Sequence, residues 1–281
     1  MSQSDRYKYI DDLSILELVS LAGLLTDYNF NLHVASDIGI EQRYLPAETY
    51  STQDHLNSIS NWTKQHLMKL NEDKCNFMIF SRAKENFVTR LAVNNITLDK
   101  IPVTKILGVW ISEDLSWSKN TKEMCRKAYS RMSMLTKLKY VGVKTEDLLE
   151  IYILFIRSVT EYCSVAFHSS LTQEQETDIE RIQKTCLKII LDDNYVSYTA
   201  ALEMSGLETL HNRRETRCLE FAIKCTKHSI NKRIFPLNKN LDKEDNKIRN
   251  RETFLVNFAR TETYRMSAVP FCQRMLNVHF N

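Results

Sequence analysis

The 281-residue sequence is poor in the residues that interrupt regular structure, with 5 glycines and 4 prolines. Such low usage argues against a β-sandwich or a β-barrel, which need many tight turns, and against a disordered tail. It favours long helices. The sequence also contains no glycine-rich phosphate loop, no internal repeat and no low-complexity tract.

Signals for export or membrane insertion are missing as well. The seven cysteines form no C-x-x-C pair, and their odd number and irregular spacing favour a reduced, intracellular setting in the nucleus or cytoplasm. Asp5 and Arg6 interrupt any early apolar stretch, so no signal peptide is expected. The most apolar run, residues 148–156, has about half the length of a membrane span and contains Glu150. We therefore expect a soluble protein without a membrane partner.

The net charge of +3 is unevenly distributed. Residues 1–60 hold 3 Lys or Arg against 9 Asp or Glu, a balance of −6, so residues 61–281 carry +9. An acidic start followed by a basic body fits a metal-binding region and a phosphate-binding region. The alternative is a dipolar surface without function, which charge alone does not exclude.

Hydrophobic periodicity predicts an α+β chain that is rich in antiparallel strands before about residue 115 and all-helical after it. In the first part we expect an irregular stretch over residues 27–50 and a helix over residues 52–70. Strands are predicted over 75–80 and 105–111, and a hairpin is predicted to turn at Asn94-Asn95.

Five helices are predicted in the second part. Gly142 is expected to end the first, Thr145 to cap the second, and Thr172 with Gln175 to form a capping box for the third. A short helix is predicted over residues 198–204 and a longer one over 210–227. After Pro236 the pattern is polar and weak.

Tyr9-Ile10-Asp11-Asp12 lies between two short apolar runs, which predicts a strand, a two-residue turn and a second strand. Asp-Asp forms such turns poorly compared with Asn-Gly, and adjacent carboxylates repel each other unless a cation lies between them. A turn that breaks local rules indicates function, here a divalent-metal site. The alternative is a solvated turn that happens to hold two aspartates.

The order of several segments resembles the C-terminal half of the reverse transcriptase of jockey-like non-LTR retrotransposons. Tyr9-Ile10-Asp11-Asp12 resembles the catalytic Y-x-D-D hairpin, and Lys105-Ile106-Leu107-Gly108-Val109 resembles the primer-grip strand. Residues 62–80, which begin at Trp62 and include Lys74, resemble the palm motif between them, although His66 replaces the usual asparagine. Further blocks at residues 114–117, 157–162, 179–184 and 210–215 resemble the thumb and the helices beyond it.

This resemblance implies RNA-directed DNA polymerase chemistry with an RNA template, a DNA primer and Mg²⁺. Asp11 would be the ligand shared by two Mg²⁺ ions and Asp12 a weaker or second-sphere ligand. Lys74 would lie near the leaving pyrophosphate and act as an acid, and the alternative for it is a solvated lysine after a helix. Tyr9 would pack near the primer terminus. Leu107, Gly108 and Val109 would hold the primer backbone, with Gly108 allowing close approach.

The resemblance divides the chain into a truncated palm over residues 1–115, a helical thumb-like region over 116–195 and a basic helical region with a polar tail over 196–281. In the family a third metal-binding aspartate and the fingers precede Y-x-D-D, which here starts at residue 9. We therefore expect that an N-terminal polymerase portion is missing and that this chain alone does not polymerise DNA.

A basic cluster between residues 211 and 233 suggests an alternative, a non-catalytic module that binds RNA or DNA. Its seven cations outnumber two glutamates by +5, which would allow salt-sensitive phosphate binding. A solvated helix face is the simpler interpretation. The cluster comprises Arg213, Arg214, Arg217, Lys224, Lys227, Lys232 and Arg233.

Two other patterns carry weaker predictions. Cys218 and Cys225 lie two helical turns apart, about 10.5 Å, so they are expected to be small buried residues rather than zinc ligands with His228. His168-Ser169-Ser170 has no identifiable acidic partner and is expected to be a loop.

Overall fold

The computed structural model describes residues 30–35, 38–43, 52–67, 70–72, 75–78, 90–228, 234–238 and 253–280. The chain divides into two compact units, with the division after Ser116. This division lies next to the predicted boundary at 115, and residues on both sides of 195 belong to the second unit. Helices together with four small two-stranded sheets confirm the α+β class.

The described part of the first unit contains one helix and eight short strands. Three strand pairs are antiparallel, β1 with β2, β4 with β5 and β7 with β8, whereas β3 and β6 pair in parallel. Of the three antiparallel pairs, the β4–β5 hairpin with its turn at Asn94-Asn95 was predicted. The elements are β1 (Phe30–Ala35), β2 (Ile38–Arg43), α1 (Thr52–Gln65), β3 (Asn76–Phe77), β4 (Ala92–Val93), β5 (Ile96–Thr97), β6 (Asp99–Lys100), β7 (Val103–Ile106) and β8 (Val109–Ser112).

The β1–β2 hairpin corrects the prediction of an irregular stretch over residues 27–50. Phe30 pairs with Arg43 and Ala35 with Ile38 in one continuous antiparallel register. Apolar residues alternate with other residues over positions 30–34 and 38–41, which is the period of a strand. Gly39 lies within β2 and does not interrupt it.

Helix α1 is shorter than predicted and ends at Gln65. The Gln53 side chain pairs with the β4 backbone: its Nε2 donates to the Ala92 carbonyl (2.7 Å) and its Oε1 accepts from the Ala92 amide (2.9 Å). The amide group thus acts as one more residue of the ladder. The core beneath contains Leu56, Cys75, Phe77, Leu91, Val93 and Leu98.

The regular elements in the described residues of the second unit are helices, apart from an isolated antiparallel bridge between Leu237 and Phe254. Its elements are α2 (Ser118–Tyr140), α3 (Thr145–Ile151), a π-helical segment (Tyr152–Arg157), α4 (Ser158–Glu161), α5 (Ser164–Phe167), a 3-10 turn (His168–Ser170), α6 (Gln173–Leu191), a second 3-10 turn (Asp192–Asn194), α7 (Tyr198–Ser205), α8 (Leu210–Lys227), α9 (Glu262–Arg265) and α10 (Ala268–Phe280).

The long helices α2 and α6 pack against each other and form the main core of this unit. Met124, Ala128, Met132 and Leu135 recur at helical spacing and are buried on α2. Gly142 ends α2 as predicted, with a φ of +82° that a side chain would strain. The capping box of Thr172 and Gln175 at the start of α6 is also confirmed.

The second predicted helix is interrupted between α3 and α4. Residues 152–157 form π-helical turns in which Tyr152 and Ile156 are fully buried. Thr145 is the first helical residue, and Lys144 occupies the N-cap position. The wider turn is a feature that apolar periodicity does not distinguish from an α-helix.

Helix α10 lies in the region after Pro236 that has only a weak pattern. Pro270 stands in its first turn, where the missing amide donor costs no intrahelical hydrogen bond. The Asn277 side chain makes two hydrogen bonds with the Phe254 backbone. Its Oδ1 accepts from the amide (2.7 Å), and its Nδ2 donates to the carbonyl (3.0 Å). Tertiary packing against α8 thus stabilises a helix that the local sequence does not mark.

Among the described residues, no helix combines the length and the apolar character needed to cross a bilayer.

Candidate functional site

Four of the predicted catalytic and primer-binding residues, Tyr9, Asp11, Asp12 and Lys74, lie outside the residues that the structure describes. The described candidates are the Leu107-Gly108 turn in the first unit and a group of charged side chains in the second.

Residues 105–111 form a hairpin rather than the single strand predicted for them. Ile106 pairs with Val109, so Leu107 and Gly108 make a two-residue turn with φ values of +47° and +88°. Two positive φ angles are typical of the type I′ turn, whose twist matches the flanking strands. Gly108 is exposed at the tip, whereas the Val109 side chain is 1% exposed and points into the core. Of the three predicted primer-binding residues, Val109 therefore offers no side-chain contact at the surface.

The hairpin also carries a cation beside an aromatic ring. Lys105 and Trp110 are cross-strand partners, and Lys105 Nζ lies 5.7 Å from the centroid of the Trp110 ring. Such a pair combines a charge for phosphate with a flat apolar surface for a base.

In the second unit, three arginines converge on the carboxylate of Glu161, and we call this group the Glu161 cluster. Arg213 Nε donates to Glu161 Oε1, Arg217 Nη2 lies 2.9 Å from Oε2, and Arg157 Nε lies 3.2 Å from Oε1. The Glu161 side chain is only 7% exposed, whereas that of Arg217 is 44% exposed. A second carboxylate, that of Glu208, lies 3.8 Å from the Arg213 guanidinium. The group therefore contains three cations and two carboxylates.

Arg214 was predicted to bind nucleic acid together with Arg213 and Arg217, but it differs from them because its side chain is fully buried, at 0% exposure. It continues the buried stripe of α8 between Leu210 and Cys218, at spacings of four residues. Burial lowers the pKa of its guanidinium, and nearby carboxylates, first Glu176 and then Glu180, oppose that shift. The prediction that Arg214 binds nucleic acid is therefore corrected, because the side chain does not reach the surface.

The carboxylate nearest to Arg214 belongs to a second group, the Glu176 cluster, which comprises His168, Glu176, His211 and Arg214. Arg214 Nη2 lies 3.7 Å from Glu176 Oε1, and His168 Nδ1 lies 3.8 Å from the same oxygen. His211 Nδ1 lies 2.5 Å from Glu176 Oε2. Within the described residues, His168 Nδ1 and all three guanidinium nitrogens of Arg214 lack a hydrogen-bond partner.

His168 is held in its neutral form. Burial lowers its pKa to about 3, and the neighbouring Arg214 and His211 act in the same direction. The ring is wedged edge-on against His211 and Phe271, at centroid distances of 5.1 and 5.7 Å. The expectation of a loop without an acidic partner was wrong, since His168 begins a 3-10 turn and faces Glu176.

A further glutamate, Glu180, fixes the start of α8 against α6. Its Oε1 accepts from the Leu210 amide (3.1 Å) and its Oε2 from the His211 amide (3.3 Å), while the Tyr198 hydroxyl also donates to it. These amides are donors that the first turn of a helix leaves unpaired, and the positive end of the helix favours an anion there. Glu180 therefore positions His211 above Glu176.

Buried polar bonds around Gln183 support this arrangement. Tyr152 Oη donates to Gln183 Oε1 (2.6 Å), and Gln183 Nε2 donates to Tyr198 Oη (2.9 Å) and to the Glu208 carbonyl (2.9 Å). The network joins the π-helical segment, α6 and the segment before α8. It restricts how far α8 can slide along α6.

Sequence reasoning missed the Glu176 cluster because its members come from three elements that only the fold brings together. A signal was present in Glu176 and Glu180, which are four residues apart and so lie on one side of α6. Cys218 and Cys225, predicted as small buried residues, are 1% and 2% exposed. His228 ends α8 and is exposed.

Comparison with known proteins adds no relatives: no family model matches the chain, and neither a curated protein nor a solved structure is significantly similar to it.

Proposed function

We propose that this chain is the part of a non-LTR retrotransposon reverse transcriptase that runs from the end of the palm through the thumb to the C-terminal helices. In the parent family, Mg²⁺ held by carboxylates lowers the pKa of the attacking 3′-hydroxyl and neutralises the leaving phosphate. Asp11 and Asp12 supply the oxygen ligands that Mg²⁺ prefers. Both lie outside the residues that the structure describes.

The observation that carries this proposal is that two of the resembling blocks, at 157–162 and 179–184, each bond to the block at 210–215. Glu161 of the block at 157–162 binds Arg213 of the block at 210–215, 52 positions away. Glu180 of the block at 179–184 caps the helix that begins with the third block. Segments that match a family in order and also interlock in space support a common origin better than separate matches do.

The β7–β8 hairpin is compatible with the proposed role in primer binding. Its tip exposes Gly108, where the backbone can approach a phosphate without obstruction by a side chain. Lys105 and Trp110 lie two residues from the tip on each strand. The primer would therefore meet the tip and this pair rather than the buried Val109.

Activity of the chain is tested by primer extension with Mg²⁺, a DNA primer and an RNA template. We expect no extension by the 281-residue chain alone, because two carboxylates of one turn make only part of a two-metal site. Robust extension that Asp11→Asn abolishes would contradict the inactivity and support the family assignment. Asp193→Asn, an exposed aspartate in the second unit, is the matched control.

The second candidate function is a nucleic-acid-binding module without metal chemistry, and the Glu161 cluster favours it. Three guanidinium groups share two carboxylates, and Arg217 is half exposed. A cation that its own partners do not fully neutralise can release counterions from a phosphate backbone. This function requires neither Asp11 nor Asp12.

Binding is tested by fluorescence polarisation of a labelled RNA–DNA hybrid over a salt series. Arg217→Gln is expected to weaken binding and to reduce the slope of log K against log salt by about 1, as for one lost phosphate contact. Arg265→Gln is the matched control, because Arg265 is exposed but paired with its own Glu262 at 2.8 and 2.9 Å. A flat salt dependence, or equal effects of both variants, would contradict the proposal.

A further inference from the structure

We propose that His168, Glu176 and His211 form a zinc-binding site in the second unit, separate from any polymerase metal site. The inference rests on side-chain chemistry, mutual distance and burial, and it is independent of the proposed function.

The three side chains provide the ligands of an open zinc site. One nitrogen from each histidine and one carboxylate oxygen lie within 4.8 Å of one another, and no other such group occurs in the part of the chain that the structure describes. Two imidazoles and one carboxylate form a known set of three protein ligands for Zn²⁺, which takes water or another ligand in the fourth position. Imidazole ligands favour zinc over Mg²⁺, whose preferred ligands are oxygen atoms.

The ligands are held by contacts that do not depend on a metal. The capping box of Thr172 and Gln175 fixes the first turn of α6, directly before Glu176. Glu180 holds the backbone amide of His211. Zinc bonds of about 2 Å would be reached by adjustment of side chains whose ligand atoms already lie within 4.8 Å of one another.

Burial supplies a second and independent observation. The His168 side chain is 3% exposed, and its Nδ1 has no hydrogen-bond partner within the described residues. Buried polar atoms are normally satisfied, so an unpaired imidazole nitrogen that faces a carboxylate indicates a ligand that belongs between them.

Arg214 is the main opposing charge, since it lies 3.7 Å from Glu176. Its field is offset by the carboxylates of Glu180 and Glu161, which also face it. Its unpaired guanidinium nitrogens would be satisfied if a zinc-bound hydroxide or water accepted from them. Arg214 would then donate hydrogen bonds to the fourth zinc ligand. An anion bound here without a metal is unfavourable, because the Glu176 carboxylate lies between the two imidazoles.

The experiment uses the full chain, stripped with a chelator and titrated with Zn²⁺ against a chromophoric competitor. We expect one ion per chain. Changes outside the ligand shell already lower metal affinity about 10- to 100-fold, so Glu176→Gln and His211→Gln are each expected to weaken binding at least about 100-fold. His228→Ala, which removes an exposed histidine at the end of α8, should bind as the parent chain does.

Cobalt substitution separates this site from adventitious binding by the seven cysteines. Co²⁺ should give the absorption of a four-coordinate nitrogen and oxygen site without a thiolate charge-transfer band. Circular dichroism of each variant in chelator shows whether it has folded. A thiolate band, failure to bind one equivalent of zinc, or folded Glu176→Gln and His211→Gln variants within about twofold of the parent affinity would overturn the proposal.

Discussion

The Glu161 and Glu176 clusters lie side by side on the first turns of α8, yet they use arginine in opposite ways. At Glu161 three guanidinium groups surround one nearly buried carboxylate, and the outermost, Arg217, reaches solvent. At Glu176 a single arginine is fully buried, 3.7 Å from its carboxylate and without a hydrogen bond from its guanidinium within the described residues.

The difference follows from helical geometry. Arg213 and Arg217 are four residues apart and face Glu161 together, whereas Arg214 is rotated by about 100° onto the apolar stripe of α8. Neighbouring residues of the same type can therefore serve a surface and a core. The Glu161 cluster is slightly rich in cations, with Arg213 and Arg217 both within bonding distance of its carboxylate. In the Glu176 cluster the buried His168 Nδ1 and Arg214 guanidinium have no hydrogen-bond partner among the described residues, whereas the half-exposed His211 contacts Glu176.

Glu161→Gln is expected to have the largest effect, because three partly buried arginines would lose their shared carboxylate. Removing one partner of a buried ion pair typically costs about 3–5 kcal/mol. Urea denaturation followed by circular dichroism measures the change in the free energy of unfolding. Glu262→Gln, which removes an exposed glutamate paired with Arg265, should leave that free energy unchanged. A loss below about 1 kcal/mol would show that the arginines are solvated rather than held by Glu161.

Glu176→Gln should destabilise the metal-free chain less than Glu161→Gln does. Its contact with His211 is short, but its arginine and its second histidine lie beyond hydrogen-bond distance. A hydrogen bond to a charged group contributes about 1.5–3 kcal/mol, which sets the expected loss. The same denaturation assay in chelator tests it. If Glu176→Gln proved the more damaging change, the order of the two clusters would be reversed.

Acid is expected to destabilise the folded chain through His168. In the folded chain the pKa of His168 is about 3, below its ordinary value of 6.5, so below pH 6.5 the unfolded chain binds a proton that the folded chain does not. Stability should therefore fall as pH drops from about 6.5 toward 3, by up to about 1.4 kcal/mol per pH unit from this group.

Thermal or urea unfolding at pH 7.0, 6.0 and 5.0 in chelator measures that slope, with the parent chain compared with His168→Gln. The difference in slope between the two isolates the histidine from the carboxylates that also titrate in acid. Parallel slopes for parent and variant would mean that His168 charges freely in the folded state.

Glu208→Gln is expected to have the smallest effect, because it changes the exposed part of the Glu161 cluster. Glu208 is half exposed and 3.8 Å from Arg213, so its loss should change the free energy of unfolding by less than about 1 kcal/mol. Because it partly neutralises Arg213, its removal should tighten binding of the RNA–DNA hybrid slightly, with a steeper salt dependence. Weaker binding would place Arg213 outside the phosphate-binding surface.

Local sequence signals correctly predicted the helix ends and turns that depend on particular residues at the end or turn itself. The capping box of Thr172, the left-handed Gly142 and the Asn94-Asn95 turn with φ values of +51° and +68° were all found where expected. A prediction was wrong where a run of apolar residues was taken as one continuous strand although it contains a turn. Residues 105–111 turn at Leu107-Gly108 although leucine is a poor residue for positive φ.

The basic cluster on α8 shows the limit of counting charge. The sequence identifies the cations, but their positions relative to Glu161 and Glu176 depend on how α8 docks against α4 and α6. Arg214 could have been separated from Arg213 and Arg217 by its place in the stripe that contains Leu210, Cys218 and Ala222. His168 could not have been matched to His211 in this way, because no local period links them.

The helical second unit, the α+β class and the ordered blocks that resemble a reverse transcriptase all follow from spacing and from residues near one another in the chain, so they can be recognised without a fold. Which arginines are buried and which histidines meet Glu176 cannot be recognised in that way. Burial and ion pairing depend on distances between segments, and those distances are set by the packing of whole helices.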